Sequence, residues 1–156
     1  MVTASDSKAF VDDLDRSIVR ALASDGRMSY TDLGRLTGLS TSAVHHRVRR
    51  LEERGVLLGY RAIVDPGLLG RPLTAFISLT PLDQASPDDV PDRLRDLDEV
   101  EAIHAVAGEA NYMIKVRVDT PSTLEVLLTT IRRKADVSTR TTVVLSTPYE
   151  DRPPVI

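Results

Sequence analysis

Gly38-Leu39-Ser40, lying between two runs that each carry their own helix punctuation, constrains the fold of this chain more than any other feature. The run before it, Ser29 to Thr37, opens on a capping serine, sets Leu33 and Leu36 three apart on one face, and stops at Gly38. The run after it starts from Ser40, a good N-cap, extends from Thr41 to about Arg54 and is closed by Gly55. Upstream, Asp12 and Asp13 precede Leu14, Ile18 and Leu22, four apart on one face, with Gly26 as the stop. Two helices joined by a three- or four-residue turn containing Gly form a helix-turn-helix, here the last two of three helices. Gly38 permits a positive φ in the turn, Leu39 fills the wedge between the helices, and Gly34 lets the second and third helices approach closely. A glycine at 34 in place of alanine weakens its own helix by about 1 kcal/mol.

At about 100° per residue, Val44, Val48 and Leu51 form one narrow stripe on the third helix, which must face the other two. Ser42, His46 and Arg49 stand opposite, flanked by His45 and Arg50. An outer face made of donors and cations is what a recognition helix needs in a major groove. Arg49, His46 and Ser42 are expected to touch bases, His45 to donate to a base or phosphate, and Arg50, Arg54 and Thr41 to hold phosphates. Arg47 lies near the buried stripe, where it either braces the fold or reaches a phosphate. The alternative for such a face is a solvated charged surface, and the turn with its two preceding helices shifts the balance toward DNA.

The formal charge of −3 argues against a generic polyanion binder, so the distribution of charge decides. Residues 1–66 hold ten Lys/Arg against nine Asp/Glu, whereas residues 67–156 hold ten against fourteen. Basic character is therefore local, as suits a small DNA-reading module on an acidic protein. With no cysteine there are no disulfides, thiolate metal sites or thiol catalysis. His45 and His46 point about 100° apart on a helix and are poorly placed to share one metal. No P-loop, GxSxG or HExxH is present, so neither an enzyme nor a metal site is expected. No secretory signal and no apolar run of about 20 residues is seen, and a cytoplasmic location is expected.

From Val56 to Val64 runs a mostly apolar, β-prone segment broken by Gly59, and Asp65-Pro66-Gly67 follows as a turn. This reads as a strand and a hinge, although the residues alone fit a β-wing equally well. Beyond Gly70 the elements alternate. Strands are expected over Pro72–Thr80, Val100–Ala107, Tyr112–Val118 and Val137–Thr147. One helix is capped by Ser86-Pro87-Asp88-Asp89 and faces inward through Val90, Leu94 and Leu97, kinking or beginning at Pro91. Another starts at Thr120-Pro121 and faces inward through Leu124, Leu127, Leu128 and Ile131. The order βαββαβ is ferredoxin-like, so the whole chain is α+β: a three-helix, winged or helix-turn-helix domain followed by that sandwich. Apolar residues fall in both strand phases, as in Phe76 and Ile77 or Met113 and Ile114, so neither sheet face looks fully solvated and self-association is expected. The same fold is used for RNA binding, but 4% aromatic residues and no stacking run argue against that.

Several of these residues also carry a resemblance. Asp13-Leu14-Asp15-Arg16, Leu22, Asp25-Gly26-Arg27, Leu33, Gly38-Leu39-Ser40, Val44, Arg47-Val48-Arg49-Arg50-Leu51-Glu52, Gly55-Val56 and Gly59-Tyr60 resemble the Lrp/AsnC, or feast/famine, family of prokaryotic transcription regulators. The resemblance covers nearly the whole chain. It implies a helix-turn-helix domain at 1–55, a strand and hinge at 56–70 that pairs with its copy in a second subunit, and a dimerising, effector-binding domain at 71–156. It further implies a homodimer assembling to an octamer, double-stranded DNA as partner, and an amino acid as effector with no other cofactor. A weakly specific, chromosome-organising DNA binder is the variant of this reading.

In that family a Gly-x-x-Asp loop lies at the effector site between neighbouring dimers, and the matching run here is Gly108-Glu109-Ala110-Asn111-Tyr112. Backbone N–H groups of such a loop suit a carboxylate. Asn111 stands where the family has Asp, so the anion for an ammonium group has to come from Glu109 or from another subunit. His104, Thr139 and Thr141 are further candidates on the flanking strands. By its length alone the loop is also an ordinary hairpin turn.

Overall fold

The cap residues act as the sequence predicts. In the computed structural model, which describes residues 11–83 and 89–153, Asp12 accepts from the Asp15 amide at 2.7 Å and opens α1, Asp13–Ser24. Ser29 accepts from the Asp32 amide at 3.1 Å and opens α2, Tyr30–Thr37. Gly38 ends α2 at φ 73°, and Ser40 then opens α3, Thr41–Glu53, by accepting from the Ala43 amide at 3.2 Å. Each such cap satisfies one of the backbone donors that a helix start leaves unpaired. Ile18, Leu22, Leu33, Val44, Val48 and Leu51 form the core of this trihelical unit, with Leu39 packed against it from the turn. Burying each large aliphatic side chain contributes roughly 1.5–3 kcal/mol.

Two details differ from expectation. Leu36 is 60% exposed, because Tyr30, Leu33, Gly34 and Thr37 occupy an arc of about 100° that faces inward and leaves Leu36 outside it. Gly34 is indeed at a close approach, but to the turn: a Cβ there would lie 2.7 Å from the Leu39 carbonyl oxygen.

The run 56–64, expected to be a strand, forms no ladder among the described residues. A strand needs a partner, and none of the described strands is placed beside it. Leu58 and Ile63 are left exposed. The predicted turn is present, with Asp65 Oδ1 accepting from the Gly67 amide at 2.8 Å and the Arg71 amide returning to the Pro66 carbonyl at 2.8 Å.

The chain divides into two compact units, one running from Val64 to Pro148 and the other formed by the part up to Ile63 with the segment from Tyr149. The second unit in sequence order contains β1, Leu73–Pro81, α4, Val90–Leu94, β2, Val100–Ala105, β3, Tyr112–Val118, α5, Pro121–Ala135, and β4, Val137–Val143. The strands lie in the order β2-β3-β1-β4, every neighbouring pair antiparallel, which is the ferredoxin-like arrangement. Ala75, Ile77 and Leu79 of β1 and Tyr112, Ile114, Val116 and Val118 of β3 pack under Leu94 of α4 and Leu124, Leu127 and Ile131 of α5. Pro91 stands in the first turn of α4, so that helix begins there; its expected cap at Ser86, Pro87 and Asp88 lies outside the described residues. Both β2 and β4 are shorter than expected, and β4 makes its last bond when the Val144 amide donates to the Thr74 carbonyl at 2.9 Å.

The other sheet face is only sparsely apolar. Phe76 and Met113, each 38% exposed, sit there among Ser78, Thr80, Lys115 and Arg117. A bulge at Glu101 turns its carboxylate to this face, where it meets Lys115 Nζ at 3.1 Å and Arg117 Nε at 2.7 Å.

Candidate DNA-reading helix and ligand cavity

Because Val44, Val48 and Leu51 are completely buried, the opposite face of α3 is fixed outward. Thr41, Ser42, His45, His46, Arg49 and Arg54 are all exposed there or at its end. Arg49 Nε donates to Glu53 Oε1 at 2.8 Å, one turn along, in a well-exposed pair. Such a pair contributes about 0.3–0.5 kcal/mol, less than the roughly 1–3 kcal/mol of a bidentate arginine–guanine contact, so Arg49 can exchange Glu53 for a base. Ser42 Oγ shares a hydrogen bond with the cap Ser40 Oγ at 3.1 Å. The His45 ring meets Tyr30 edge-on, with centroids 5.4 Å apart, which orients it from the start of α2.

Arg50, expected to hold a phosphate, is paired within the chain. Its Nη2 donates to Asp15 Oδ2 at 2.7 Å, while Arg47 Nη1 donates to Asp15 Oδ1 at 2.7 Å and to Asp12 Oδ2 at 2.6 Å. The Asp15 side chain is 1% exposed, and a carboxylate so buried is tolerated only when paired. Arg47, left open between two roles, therefore braces α3 against α1, and Arg50 is turned to the same carboxylate. The Arg47 bond, aided by the Asp15 amide, holds the Asp12 carboxyl below the usual range, and the Asp12 and Asp15 bonds raise Arg47 above its ordinary value. Asp15 was legible in principle, since it stands three before Ile18 and seven before Leu22, in phase with the buried stripe of α1. Just past α3, the Tyr60 hydroxyl donates to Glu52 Oε1 at 3.0 Å, and burial followed by that bond pushes its phenol up to about 12.

In the sandwich unit a cavity of about 570 Å³ opens on the helix-free face of the sheet. Its floor is Ser78 and Thr80 of β1, Met113 of β3, and Ser138 and Arg140 of β4; Val106 to Ala110 form its rim. Gly108, Glu109, Ala110 and Thr139 are thus brought together as expected candidates, though the Thr139 hydroxyl is taken by Arg132 Nε at 2.9 Å. Arg140 Nη1 lies 3.4 Å from Glu109 Oε2 across the rim. Four expected residues fall outside the cavity lining. Tyr112 is 4% exposed and packs in the core under the helices, and Thr141, paired with Ile77, has the same phase. His104 is exposed beside Met113 but beyond the lining, and Asn111 closes the hairpin through its backbone, its carbonyl accepting from Val106 and its amide donating to Leu79. Ser78, Met113 and Arg140 were missed. Their shared face follows from register, Ser78 being paired with Met113 on one side and Arg140 on the other. Among the described residues no group of three His, Asp or Glu could hold a metal, and no helix is long and apolar enough to cross a membrane.

Comparison with known proteins adds to this geometry. Residues 11–52 match an AsnC-type helix-turn-helix domain and residues 74–154 match an Lrp/AsnC ligand binding domain. The chain is 51% identical over 142 residues to the HTH-type transcriptional regulator LrpA of Mycobacterium tuberculosis, covering 91% of this chain and 95% of that protein. It is 36% identical over 140 residues to the leucine-responsive regulatory protein of Klebsiella pneumoniae, covering 86% and 85%. A solved feast or famine regulatory protein from M. tuberculosis, complexed with L-methionine, superposes with a TM-score of 0.89 at 50% identity, covering 92% of this chain and 99% of that one.

Proposed function

The chain belongs to the Lrp/AsnC family of transcription regulators, and on that premise we propose that it regulates transcription by reading DNA through α3 in response to an amino acid. The observation that carries this is the outward face of α3, which presents Ser42, His46 and Arg49 on a helix whose inner face is locked in the core. These three touch base edges in a major groove, and Thr41 and Arg54 hold phosphates at its ends. Two copies present two such helices to half-sites about one helical turn apart, or a multiple of it. The exposed apolar linker supports a homodimer: Leu58, Ile63 and Leu68 are 93%, 76% and 87% exposed in the single chain. Higher assembly, to an octamer, follows the same family reading, as does a cytoplasmic site of action.

The effector occupies the cavity on the open sheet face, with the Gly108 loop and the Glu109 and Arg140 charges at its rim for the zwitterion and Met113 with Val106 for an apolar side chain. Its volume is in the range of small-molecule sites. That a relative at 50% identity is solved with L-methionine makes methionine the first ligand to try. Effector binding shifts DNA affinity by a coupling of about 1–3 kcal/mol.

A fluorescence-anisotropy titration tests this, using DNA from upstream of the protein's own gene and a scrambled duplex, with and without each amino acid. The expected result is preference for the upstream DNA that one apolar amino acid alters. Equal binding to both duplexes would contradict sequence-specific reading. Arg49→Ala is expected to remove the preference while leaving the circular dichroism spectrum unchanged, and retained selectivity in that variant would refute the assignment of the reading face.

A further inference from the structure

The buried carboxylate of Asp15 is surrounded by groups that would otherwise be well suited to phosphate. It receives Arg47 and Arg50 at 2.7 Å each, and Asp12 takes Arg47 a second time at 2.6 Å. The two arginine side chains are 23% and 34% exposed, so both guanidinium groups lie at the edge of α3 rather than in the deep interior. Arg50 adjoins Arg49, the residue assigned to base reading, and its Nε is buried without an acceptor. On α3 itself three arginines stand against Glu52 and Glu53, and two of the three are committed to aspartates of α1.

Guanidinium groups at the edge of a recognition helix add sequence-independent affinity, because each phosphate they neutralise releases counterions. A carboxylate that occupies them has the opposite effect. We propose that Asp15 is an intramolecular substitute for a DNA phosphate, holding Arg47 and Arg50 away from the backbone so that non-specific binding stays weak and discrimination rests on the Arg49 face. This rests on α3 being the DNA-reading helix. Asp15 is in this sense a positioning residue: it touches no DNA and acts through two arginines. The arrangement also accounts for a DNA-binding unit whose residues 1–66 hold nearly as many acidic as basic groups.

The test is the salt dependence of binding to a scrambled duplex of about 25 base pairs, by anisotropy over a series of NaCl concentrations. Arg50→Gln is expected to leave the slope of log K against log salt unchanged, since Arg50 is not on a phosphate. Asp15→Asn is expected to steepen the slope by about 0.9 for each guanidinium released and to tighten scrambled-DNA binding several-fold at low salt, lowering the ratio of upstream to scrambled affinity. Adding Arg50→Gln to Asp15→Asn is expected to return part of the slope. A purely structural role would weaken binding to both duplexes without steepening the slope. A shallower slope in Arg50→Gln, or an unchanged slope in a folded Asp15→Asn protein, overturns the proposal. If Asp15→Asn does not fold, Arg50→Gln decides alone. Native protein that binds neither duplex would refute the parent reading of α3, an outcome separate from either variant result.

Discussion

One carboxylate at position 12 serves two purposes, capping α1 through the Asp15 amide and pairing with Arg47 of α3. The two can be separated by substitution. Asp12→Ala removes both and is expected to destabilise the trihelical unit by about 1 kcal/mol or more, read by urea unfolding at neutral pH. Asp12→Asn keeps a competent cap and is expected to lose less. Because the folded carboxyl is held below its unfolded value, its charge-dependent stability is present above the ordinary carboxylate range and is lost as pH falls through the depressed value. The native protein is therefore expected to lose stability more steeply than Asp12→Asn below about pH 4; parallel curves would show that the Arg47 bond does not hold in solution. Gly34 is the second residue whose role is a matter of ångströms. A Cβ there already meets the Leu39 carbonyl oxygen at 2.7 Å, so Gly34→Val must push the turn away. Overpacking of this kind costs about 1–3 kcal/mol, and a lowered thermal midpoint with weakened operator binding is expected.

At the scale of elements, the helices were legible because their ends are written locally: Asp12, Ser29 and Ser40 cap, Gly38 and Gly55 stop, and each signal acts within four residues. The strands were legible as strands from their β-prone runs, but not the face on which each side chain falls. That depends on register, which is set by partners distant in sequence, and a shift of one residue moves a side chain to the other face. Tyr112 reads in the sequence as part of the candidate effector loop and packs in the core, whereas Met113, the next residue, lines the cavity. The pairing of Arg50 was hidden for a related reason, since only the packing of α1 against α3 reveals the carboxylate waiting for it. A pair of variants makes the register argument testable: Met113→Lys is expected to abolish saturable methionine binding in calorimetry, while Tyr112→Phe leaves it within about two-fold. The opposite pattern would place the ligand on the helix side of the sheet.

For the whole molecule, the two units connect through a segment whose apolar residues find little to cover them in the single chain. Replacing Leu58 and Ile63 together by Asp is expected to shift the protein toward monomer in sedimentation velocity at micromolar concentration, with the circular dichroism of the helices retained. A dimer that survived both charges would relocate the interface to another surface. The Val56 and Leu57 amides donate to the Leu51 carbonyl; for the rest of the run to 64, either water supplies the backbone hydrogen bonds or a second chain does. In the latter case, ordering of this middle segment is a bimolecular event, and mass action enters its stability. Dilution alone would then loosen the regulator, and its thermal midpoint would rise with protein concentration. The abundance of the protein in the cell would thereby become an input to its own activity, alongside any small molecule it senses.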